Sequence, residues 1–593
     1  MTFAIDFETY YDGSVSVRDL GAEAYTRHPQ YYAGMVSIVG PGLKWVGKPE
    51  DAPWSKIRGA CWVAHNAQFD RWVANRLRDQ GVIPADIYPS RWVDTTAIPA
   101  YLQVRRDLAS AAKVLLGKSV DKAVRAQMSG KHYDSLTSER WDVLCDYALK
   151  DSELCYDLYQ THHKALPAHE WKLSELTIDQ ADCGVQIDRP LLDDYTATVQ
   201  ATEQALLYDL PWRGDFAALS IAAFKRQLAQ DGILDVPKTT DASDPNWNRW
   251  VRQYSPRHPY INSFVQLRRL KKHLATLLTI QSRVDSNDVL HFSMKYCGSR
   301  LTGRWSGDAG LNMQNLPKEE LFGAKIRNLI RAREGHSFII ADLSQIEPRC
   351  LADACEDYEF LDHVEKGMDV YEAHARGTMG YDNPKPLKDV APKTRQAAKA
   401  RVLGLGYGCG GARFQEFASL FGFDYTLSEA KHQVADYRES NPRITRLWGD
   451  LADGFEGSKG DESFRVVLPT GRELNYYDVQ SRVQTAPDGS SRRGTAAVTQ
   501  RGSDRHEFFW GSKLTENYIQ ALARDVFADA MLRIDAGGVK TCWHVHDELI
   551  CEVPQDQSQD ALEFVKEEMS RRHPALPRMP IAVDAHIAPI YDK

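Results

Sequence analysis

One segment limits the possible folds more than any other, the apolar run CWHVHDELICEV at residues 542–553, with Asp547 and Glu548 at its centre. Branched and aromatic residues of this kind favour strands, and the polar interruption indicates a hairpin turn. Two adjacent carboxylates at such a turn suit either a solvated tip or half of a metal site. A further carboxylate elsewhere in the chain must decide between these alternatives.

The bulk composition is that of an ordinary globular protein, with 43% hydrophobic and 26% charged residues. A chain of 593 residues is longer than a single hydrophobic core accommodates, which predicts roughly two to four domains. A net charge of −8 argues weakly against nucleic acid as a partner, because a phosphate-binding surface must be basic. Three locally basic segments nevertheless fit a positive channel inside an acidic shell: LRRLKKH (267–273), KIRNLIRAR (325–333) and KTRQAAKAR (393–401).

The cysteine pattern and the N-terminus indicate a cytoplasmic chain. Ten cysteines contain no CxxC pair and no regular framework, which argues against disulfides and structural zinc. The start MTFAIDFETYYDG lacks a basic region and a long apolar core, so it does not resemble a signal peptide. No run approaches the ~18 apolar residues of a membrane span, so we expect no membrane partner.

Hydrophobic periodicity divides the chain into an α/β start and a longer mixed remainder. The first ~165 residues alternate short apolar runs with amphipathic helices, and residues 138–164 are predicted to be continuously helical. Residues 166–290 are mostly helical, and strands return in GHSFIIADLS (335–344). The Ser-, Gly- and Arg-rich segment 479–506 indicates a mobile loop or an extended hairpin.

A first set of acidic residues lies in this α/β start. Asp6 and Glu8 are two apart at a strand end, so their side chains share one face. Asp70 follows a strand where a helix begins, and Tyr147 and Asp151 share a helix face at i, i+4. Each feature alone is typical of a solvated surface. Together, four carboxylates from different elements suit two divalent ions, about 3.5–4 Å apart, that bridge a phosphate.

A second set lies in the C-terminal half. The apolar strand in FIIADLSQIEPR (338–349) ends at Asp342, which would hold a carboxylate rigidly for a hard cation. The alternative is that Asp342 caps the following helix. If Asp342 instead belongs to a metal site, Asp547 is the obvious partner.

A helix between these two acids suggests a phosphate-rich substrate. Arg395, Lys399, Leu403 and Tyr407 recur every four residues. Each step drifts only ~40° around a helix, so the four side chains lie along one broad face. Two cations followed by an apolar and an aromatic side chain suit a nucleoside triphosphate, although a basic surface face is the commoner use of such a helix.

The order D-x-E, N-x-x-x-F-D, Y-x-x-x-D resembles that of the proofreading 3′–5′ exonucleases of the DEDD class, tyrosine subtype. In this chain the motifs are Asp6–Glu8, Asn66–Asp70 and Tyr147–Asp151. The resemblance implies an RNase H-like domain. By that resemblance Asp6, Glu8, Asp70 and Asp151 hold two metal ions and Tyr147 positions the attacking water.

The rest of the chain resembles the family A DNA polymerases, the bacterial DNA polymerase I family. DLSQIEPR, RQAAKARVLGLGYG and HVHDEL look like the family's motifs A, B and C. GVQID (184–188), LTGRWSGDAGLNMQNLP (301–317) and ENYIQALARD (516–525) match further segments in the same order. The resemblance covers essentially the whole chain and implies template-directed extension of a primer, with proofreading.

The resemblance implies a role for each matching residue at the metal and the nucleotide. Asp342 and Asp547 would bind two Mg²⁺ ions, which Mn²⁺ could replace, with Glu548 as an auxiliary acid. Arg395 and Lys399 would hold the triphosphate, and Lys399 would also protonate the pyrophosphate. The remaining residues expected near the nucleotide are Glu347, which would gate the sugar 2′ position, Gln345, Leu403, Tyr407 and His546.

The DNA itself would be held by polar residues from two further segments. Arg304 and Gln520 would probe the minor groove, where every correct base pair offers similar acceptors. The complete set expected at the DNA is Arg304, Asn312, Gln314, Asn315 and Gln520.

Three departures from the family pattern matter. Leu403 stands where the family usually has Phe or Tyr, which puts dideoxynucleotide discrimination in doubt. Pro348 replaces a usual Leu in motif A, and Glu516 replaces a common Asn. The chain also starts directly at the exonuclease motifs, with no 5′-nuclease domain, a compact form that resembles polymerases encoded by bacteriophages.

The expected fold class is a multidomain α/β and α+β chain with an RNase H-like exonuclease domain and a right-hand polymerase. The predicted parts are exonuclease 1–165, thumb and connecting helices 166–290, palm 291–380, fingers 381–450 and a second palm segment 451–593. Primer–template DNA and dNTPs are the expected partners of a monomer, with a replication helicase or processivity factor as further candidates. Two rival functions are a single-subunit RNA polymerase, disfavoured by Glu347, and a nuclease with an inactive polymerase domain.

Overall fold

The structure is a computed structural model that describes residues 1–119, 123–212, 217–242, 244–485 and 491–593. It contains two compact units. The first comprises residues 1–184, 292–314 and 335–587, and the second comprises residues 185–291, 315–334 and 588–593. Within the described ranges, no helix is both long and apolar enough to cross a membrane.

The N-terminal part of the first unit is a five-stranded sheet with helices packed on it. The strand order is β3-β2-β1-β4-β5, with β1 antiparallel to β2 and parallel to β4. Phe3, Ile5 and Trp62 anchor the apolar core of this sheet. The elements are β1 (Thr2–Thr9), α1 (Val17–Leu20), α2 (Ala22–Arg27), β2 (Ala33–Gly40), β3 (Leu43–Gly47), β4 (Cys61–Ala64), α3 (Ala67–Asp79), β5 (Arg91–Asp94), α4 (Ala97–Tyr101), α5 (Leu108–Ala111), α6 (Ala123–Ala126), α7 (Ser138–His162) and α8 (Ala168–Cys183).

The second unit is mainly helical, as the sequence predicted for 166–290. A three-stranded sheet of order β10-β6-β7 lies beside its helices. An aromatic cluster that includes Trp212, Phe224 and Trp247 forms a core in this unit. The elements are β6 (Val185–Ile187), α9 (Arg189–Tyr208), α10 (Ile221–Gln230), α11 (Pro245–Tyr254), α12 (Pro259–Arg283), β7 (Val289–Leu290) and β10 (Ile330–Arg331).

The remainder of the first unit contains two four-stranded sheets and a group of helices between them in the chain. The sheet orders are β16-β17-β11-β18 and β12-β13-β14-β15. The elements are β8 (Met294–Lys295), β9 (Ser306–Gly307), β11 (His336–Leu343), α13 (Ile346–Ala354), α14 (Tyr358–Glu365), α15 (Val370–Thr378), α16 (Leu387–Val390), α17 (Pro392–Leu405), α18 (Gly411–Ser419), α19 (Leu427–Ser440), α20 (Pro442–Gly457), β12 (Ser463–Val467), β13 (Glu473–Thr485), β14 (Ser491–Val498), β15 (Glu507–Phe509), α21 (Gly511–Ala536), β16 (Thr541–Val545), β17 (Glu548–Pro554), α22 (Ser558–Ser570) and β18 (Val583–Ala588).

Most local predictions agree with these elements. The mixed α/β and α+β architecture is confirmed, and α7 covers the helix predicted over 138–164. The segment 479–506 forms an extended hairpin, of which residues 486–490 lie outside the described residues. The placement of Tyr407 on a helix face is wrong, because α17 ends at Leu405 and Tyr407 lies in the following turn. The five-part domain division stays a prediction.

Candidate active sites

Asp342 and Asp547 lie side by side on one antiparallel sheet. β11 pairs with β17 in a register that places Asp342 opposite Glu548. The backbone N–H of Leu343 donates to the carbonyl of Asp547 at 3.1 Å, which ties the β16–β17 turn to the end of β11. His546 forms this turn with a positive φ of 57°. The hairpin predicted from the apolar run is therefore present, and the two acids meet at its tip.

The environment of Asp547 disfavours its negative charge. Burial and the neighbouring charge of Asp342 raise its pKa to about 7, and Arg304 opposes this only in part. The alternative reading of Asp342 as a helix cap does not hold, because Gln345, with a φ of 56°, is the residue that precedes α13. Two acids that repel one another at a rigid strand end suit a site completed by a positive group.

Glu347 is fixed from two sides. Arg304 donates from its guanidinium to one carboxylate oxygen, and the Tyr407 hydroxyl donates to the other at 3.0 Å. Burial and the charge of Glu347 raise the pKa of Tyr407 well above its ordinary value, so its hydroxyl stays protonated and remains a donor. The structure thus joins residues from three segments that the sequence treated separately.

The cations of α17 have their own partners. Arg395 donates to Asp369 through Nε at 3.2 Å and through a terminal nitrogen at 3.0 Å, and its guanidinium lies over the Tyr371 ring. The Lys399 Nζ lies 5.8 Å from the centre of the Phe421 ring. Leu403, by contrast, is exposed. The first three predicted residues of this helix therefore line one face, with Asp369 orienting the arginine.

The residues expected at DNA are placed less uniformly. Gln520 lies on α21 and its amide donates to Glu516 at 3.4 Å. Gln314 is buried, and its backbone N–H donates to the Asn312 side chain at 3.0 Å. Asn315 follows directly in the chain but belongs to the second compact unit. The Gln345 amide oxygen accepts from the backbone of Val370, and His546 is exposed.

Helix α8 contributes buried contacts that sequence reasoning missed. The Gln180 side chain is within 2.8 Å of both His544 Nδ1 and the Thr541 hydroxyl. His544 precedes the Asp547 turn, and burial lowers its pKa to about 3, so the ring is neutral. Trp305 stands edge-on to this ring at 4.8 Å between centroids. No local pattern marks these contacts, because Gln180 and Trp305 are each more than 100 positions away from Thr541 and His544 in the chain.

A buried ion pair joins the same helix to α21. Glu170 accepts from Arg524 at 2.7 and 2.8 Å and from the Tyr296 hydroxyl at 2.6 Å. Burial alone would raise the pKa of Glu170, but the charge and hydrogen bonds of Arg524, with Tyr296, bring it down to about 2. Glu170 is therefore a fully compensated buried carboxylate.

The four N-terminal acids share one cavity of about 360 Å³, lined by Asp6, Glu8, Asp70 and Asp151. The first two come from β1, Asp70 from α3 and Asp151 from α7. The Phe7 N–H donates to Asp70 at 3.2 Å, which holds α3 against β1. Burial, followed by the charges of the other three acids, raises the pKa of Asp6 well above its usual range, and burial raises that of Glu8 to about 7.

Tyr147 and Arg125 complete the surroundings of these acids. The Tyr147 hydroxyl is hydrogen-bonded to Asp151, and burial together with that acid raises its pKa. Arg125, on α6, lines the cavity, and its charge lowers the pKa of Glu8 against the effect of burial. No sequence motif indicated Arg125, because this residue lies outside the three motifs. Asp94 accepts from the backbone of Asn66 and Thr96, a turn-stabilising role.

Both acid groups have the donor chemistry of a site for hard divalent ions, since such ions prefer carboxylate oxygens. Within the described ranges, no three His, Cys, Asp or Glu side chains are already arranged as a ligand shell. The raised pKa values of Asp6 and Asp547 express mutual repulsion and burial that a bound cation would relieve. The residues present therefore fit such an ion in both places.

The comparisons with known proteins define the class of protein to which the chain belongs. The family model of DNA polymerase family A matches residues 213–593, more than half of the chain, so the chain belongs to that family. The resemblance of the chain to the family A DNA polymerases is thereby confirmed. DNA-directed DNA synthesis is the function that this membership supports.

Individual relatives agree with this membership. The DNA polymerase of Bacillus phage SP02 is 24% identical, with all of both chains aligned. DNA polymerase I of Aquifex aeolicus is 26% identical over 86% of this chain and 83% of the relative. The thermostable DNA polymerase I of Thermus filiformis is 29% identical, but the match covers only 54% of this chain and 34% of the relative.

A solved structure shares the fold over the full length. The POL domain of Pol1 from M. smegmatis, in complex with DNA primer-template and dNTP, superposes with a TM-score of 0.68. The alignment covers 100% of this chain and 95% of that one at 18% identity. At this identity the likeness establishes the fold alone.

Proposed function

We propose that this chain extends a primer 3′ end with dNTPs at Asp342 and Asp547, and trims 3′ ends at Asp6, Glu8, Asp70 and Asp151. The observation that carries the first activity is the pairing of β11 with β17, which presents both acids from one rigid sheet. The convergence of four acids from three elements on one cavity carries the second. An RNase H-like fold for the N-terminal sheet, and replication of a phage genome, belong to the same proposal.

In the polymerase site, Asp342 and Asp547 would hold two divalent ions, Mg²⁺ or Mn²⁺. Bound there, the ions would lower the pKa of the primer 3′-hydroxyl and neutralise the triphosphate. Arg395, aligned by Asp369, and Lys399 would bind the phosphates, and Lys399 would supply a proton to the leaving pyrophosphate. Glu548, buried beside Asp547, would act as the auxiliary acid.

Glu347 would select the sugar. Its carboxylate is held by Arg304 and Tyr407, so it cannot easily swing away from a nucleotide bound next to it. A fixed side chain rejects an added 2′-hydroxyl by steric conflict. Primer extension with dNTPs is therefore favoured over extension with rNTPs, which opposes the rival assignment as an RNA polymerase.

In the trimming site, Tyr147 would orient the attacking water while its hydroxyl stays protonated. Its hydrogen bond to Asp151 fixes the ring relative to the acids. Arg125 would balance part of their negative charge. The donor set is purely oxygen, as phosphate hydrolysis assisted by divalent ions requires.

Primer extension by Asp547→Asn tests the synthetic activity. Asparagine keeps the size of the side chain but removes the charge that binds a cation, so extension should fall by at least about 100-fold. Asp556→Asn is the matched control, because Asp556 is an exposed acid beyond the end of β17. If Asp547→Asn extended primers as fast as this control, the assignment of the synthetic site would be wrong.

Digestion of a single-stranded 3′-labelled oligonucleotide tests the trimming activity. Asp70→Asn should lower the trimming rate at least about 100-fold, since one of four charged oxygen donors is lost. Asp79→Asn, near the far end of the same helix α3, is the control. Equal trimming by both variants would exclude the N-terminal cavity as the hydrolytic site.

A further inference from the structure

The hairpin of β13 and β14 extends well beyond the sheet that supports it. Near the root, β13 pairs with β12 and β14 pairs with β15. Beyond the root, residues 482–485 and 491–494 pair only with each other; we call this two-stranded part the ribbon. Every ribbon residue except Gly494 is exposed. A ribbon of this kind buries almost nothing and contributes little to stability on its own.

The ribbon is also positively charged. Arg482, Arg492 and Arg493 lie on it, and the sequence from 480 to 495 contains a single acid, Asp488, outside the described residues. Arg482 donates to the neutral Gln480 at 3.4 Å. Among the described residues, no acidic side chain forms an ion pair with any of these three arginines.

Other cations of the same sheet are neutralised by nearby acids. Arg465 pairs with Glu473 at 3.2 Å, and Arg472 pairs with Asp525 at 2.9 Å. Arg482 lies within electrostatic reach of Asp478, whose pKa it lowers, but Arg482, Arg492 and Arg493 form no ion pair with an acid of the described residues, so the ribbon keeps more exposed positive charge than the base of the sheet.

The strand register divides the ribbon into two unlike faces. Arg482 lies opposite Gly494 and Gln484 lies opposite Arg492, while Val483 lies opposite Arg493. Cross-strand partners share a face and successive residues alternate, so Arg482, Gln484 and Arg492 lie on one face. Arg493 lies on the other face, beside an apolar valine.

The supporting sheet packs against the helix that carries Gln520. Tyr476 and Phe509 form an apolar cluster with Leu514 and Ala521 of α21. The Asn517 side chain of that helix donates to the Tyr476 hydroxyl at 3.1 Å. The ribbon thus rises from a base that is attached to a helix expected to contact DNA.

We propose that the face of the ribbon formed by Arg482, Gln484 and Arg492 binds the phosphodiester backbone of DNA, in the duplex that the polymerase holds. Two arginines one step apart on opposite strands supply fixed donors for successive phosphates. A two-stranded ribbon also has the width that the major groove of a duplex admits, about 12 Å. This surface is separate from both carboxylate sites.

Salt-dependent DNA binding tests this surface directly. Fluorescence anisotropy in EDTA gives the Kd of the full chain for a blunt duplex and for a single-stranded oligonucleotide across a series of salt concentrations. In the double variant Arg482→Gln/Arg492→Gln, the slope of log affinity against log salt should become shallower by about 2 on the duplex, because each lost phosphate contact removes about 0.9.

Two arginine variants serve as matched controls. Arg465→Gln removes a paired arginine from the same sheet, and its slope should equal that of the wild type. Arg493→Gln removes a ribbon charge from the opposite face. It should change the slope by less than about 0.4, which is half of the value of about 0.9 expected for one phosphate contact. A thermal melt of each variant confirms that the fold is retained, as expected for exposed positions.

The possible results of the salt-dependence experiment can be distinguished from one another. A shallower slope confined to the duplex supports the proposal as stated, and one confined to the single strand assigns the same phosphate chemistry to the template strand. The proposed face is wrong if the salt slope of the double variant equals that of Arg465→Gln on both DNAs. It is also wrong if Arg493→Gln makes the slope shallower by as much, per arginine removed, as the double variant does. This proposal rests on DNA as the substrate, and failure of the wild type to bind or extend a primer–template would instead refute the proposed function.

Discussion

The surroundings of two carboxylates of this chain shift their pKa values in opposite directions. Glu170, at the junction of α8 and α21, receives two hydrogen bonds from Arg524, and its pKa falls to about 2. Asp547, at the β16–β17 turn, faces Asp342, and its pKa rises to about 7. Burial opposes the charge in both places, so the difference lies in whether the protein supplies a counter-charge.

The comparison separates structural from functional acids. A compensated carboxylate such as Glu170 stabilises the fold, because its charge is satisfied in the native state. A pair of acids such as Asp342 and Asp547, whose mutual repulsion Arg304 offsets only in part, costs stability and persists where an external cation completes it. Glu8 belongs to the second kind, with Arg125 providing only part of the opposing charge.

The largest expected effect comes from Asp547→Asn. We predict a loss of primer extension of about 1000-fold, equal to about 4 kcal/mol of transition-state stabilisation. The free energy of unfolding without divalent ions should be unchanged or higher, because the repulsion with Asp342 is removed. Extension assays and urea denaturation of the same preparation measure the two quantities. A variant that lost both activity and stability would place Asp547 with Glu170 among the structural acids.

The opposite pattern is expected for Glu170→Gln. Removing Glu170 leaves Asp525, at 3.2 Å, as the acid that still pairs with the buried Arg524, and the lost pair should lower the free energy of unfolding by about 3–5 kcal/mol. The rate of primer extension per folded molecule should stay close to that of the wild type. Urea denaturation gives the stability, and active-site titration corrects the rate for unfolded protein. An unchanged free energy of unfolding would show that the Glu170–Arg524 ion pair contributes nothing to stability.

The pH dependence of stability sharpens the same contrast. The pKa of Glu170 is lowered from 4.5 to about 2, so its contribution is present above pH 4.5 and is lost as the pH falls towards 2. The full contribution amounts to about 3 kcal/mol. Urea denaturation should therefore show a difference between wild type and Glu170→Gln that shrinks as the pH is lowered through this range. If the difference in the free energy of unfolding between the two proteins grew as the pH fell, the predicted direction of the pH dependence would be wrong.

A smaller effect is expected at Glu347, where a carboxylate is compensated by Arg304 and Tyr407 but still faces the proposed nucleotide. Glu347→Ala opens space next to the sugar and should lower the preference for dNTPs over rNTPs about 10–100-fold. The ratio of kcat/KM values for the two nucleotides measures this preference. Tyr407→Phe, which keeps the ring and removes one hydrogen bond, should give an intermediate ratio. An unchanged ratio in Glu347→Ala would assign sugar selection elsewhere.

The sequence predicted the elements that carry the acids because those signals are local. The strand that carries Asp6 and Glu8, the strand end at Asp342, the helix with Tyr147 and Asp151, and the turn at Asp547 all follow from hydrophobic periodicity and turn chemistry, although β1 continues past Asp6 to Thr9. The roles of these residues stay predictions that the experiments above test. The error at Tyr407 arose because a four-residue repeat does not reveal where a glycine-rich helix ends.

The residues that the sequence did not predict act through long-range contacts. Gln180 meets His544, Glu170 meets Arg524, and in each pair the partners are separated by more than 350 positions. Such pairs depend on how two layers pack, which a local pattern does not encode. His544 and Arg524 lie within segments that match the family, but those segments do not indicate their partners Gln180 and Glu170 on α8.

The most direct test of two independent sites is a paired measurement on two primer–templates, one with a mismatched 3′ end and one with a matched 3′ end. Asp342→Asn should trim the mismatched end at the wild-type rate in the absence of dNTPs but fail to extend the matched primer. Asp6→Asn should extend the matched primer normally but fail to trim. This double dissociation is the result that two separate carboxylate sites predict. Loss of both activities in either variant, with the fold intact, would contradict the account.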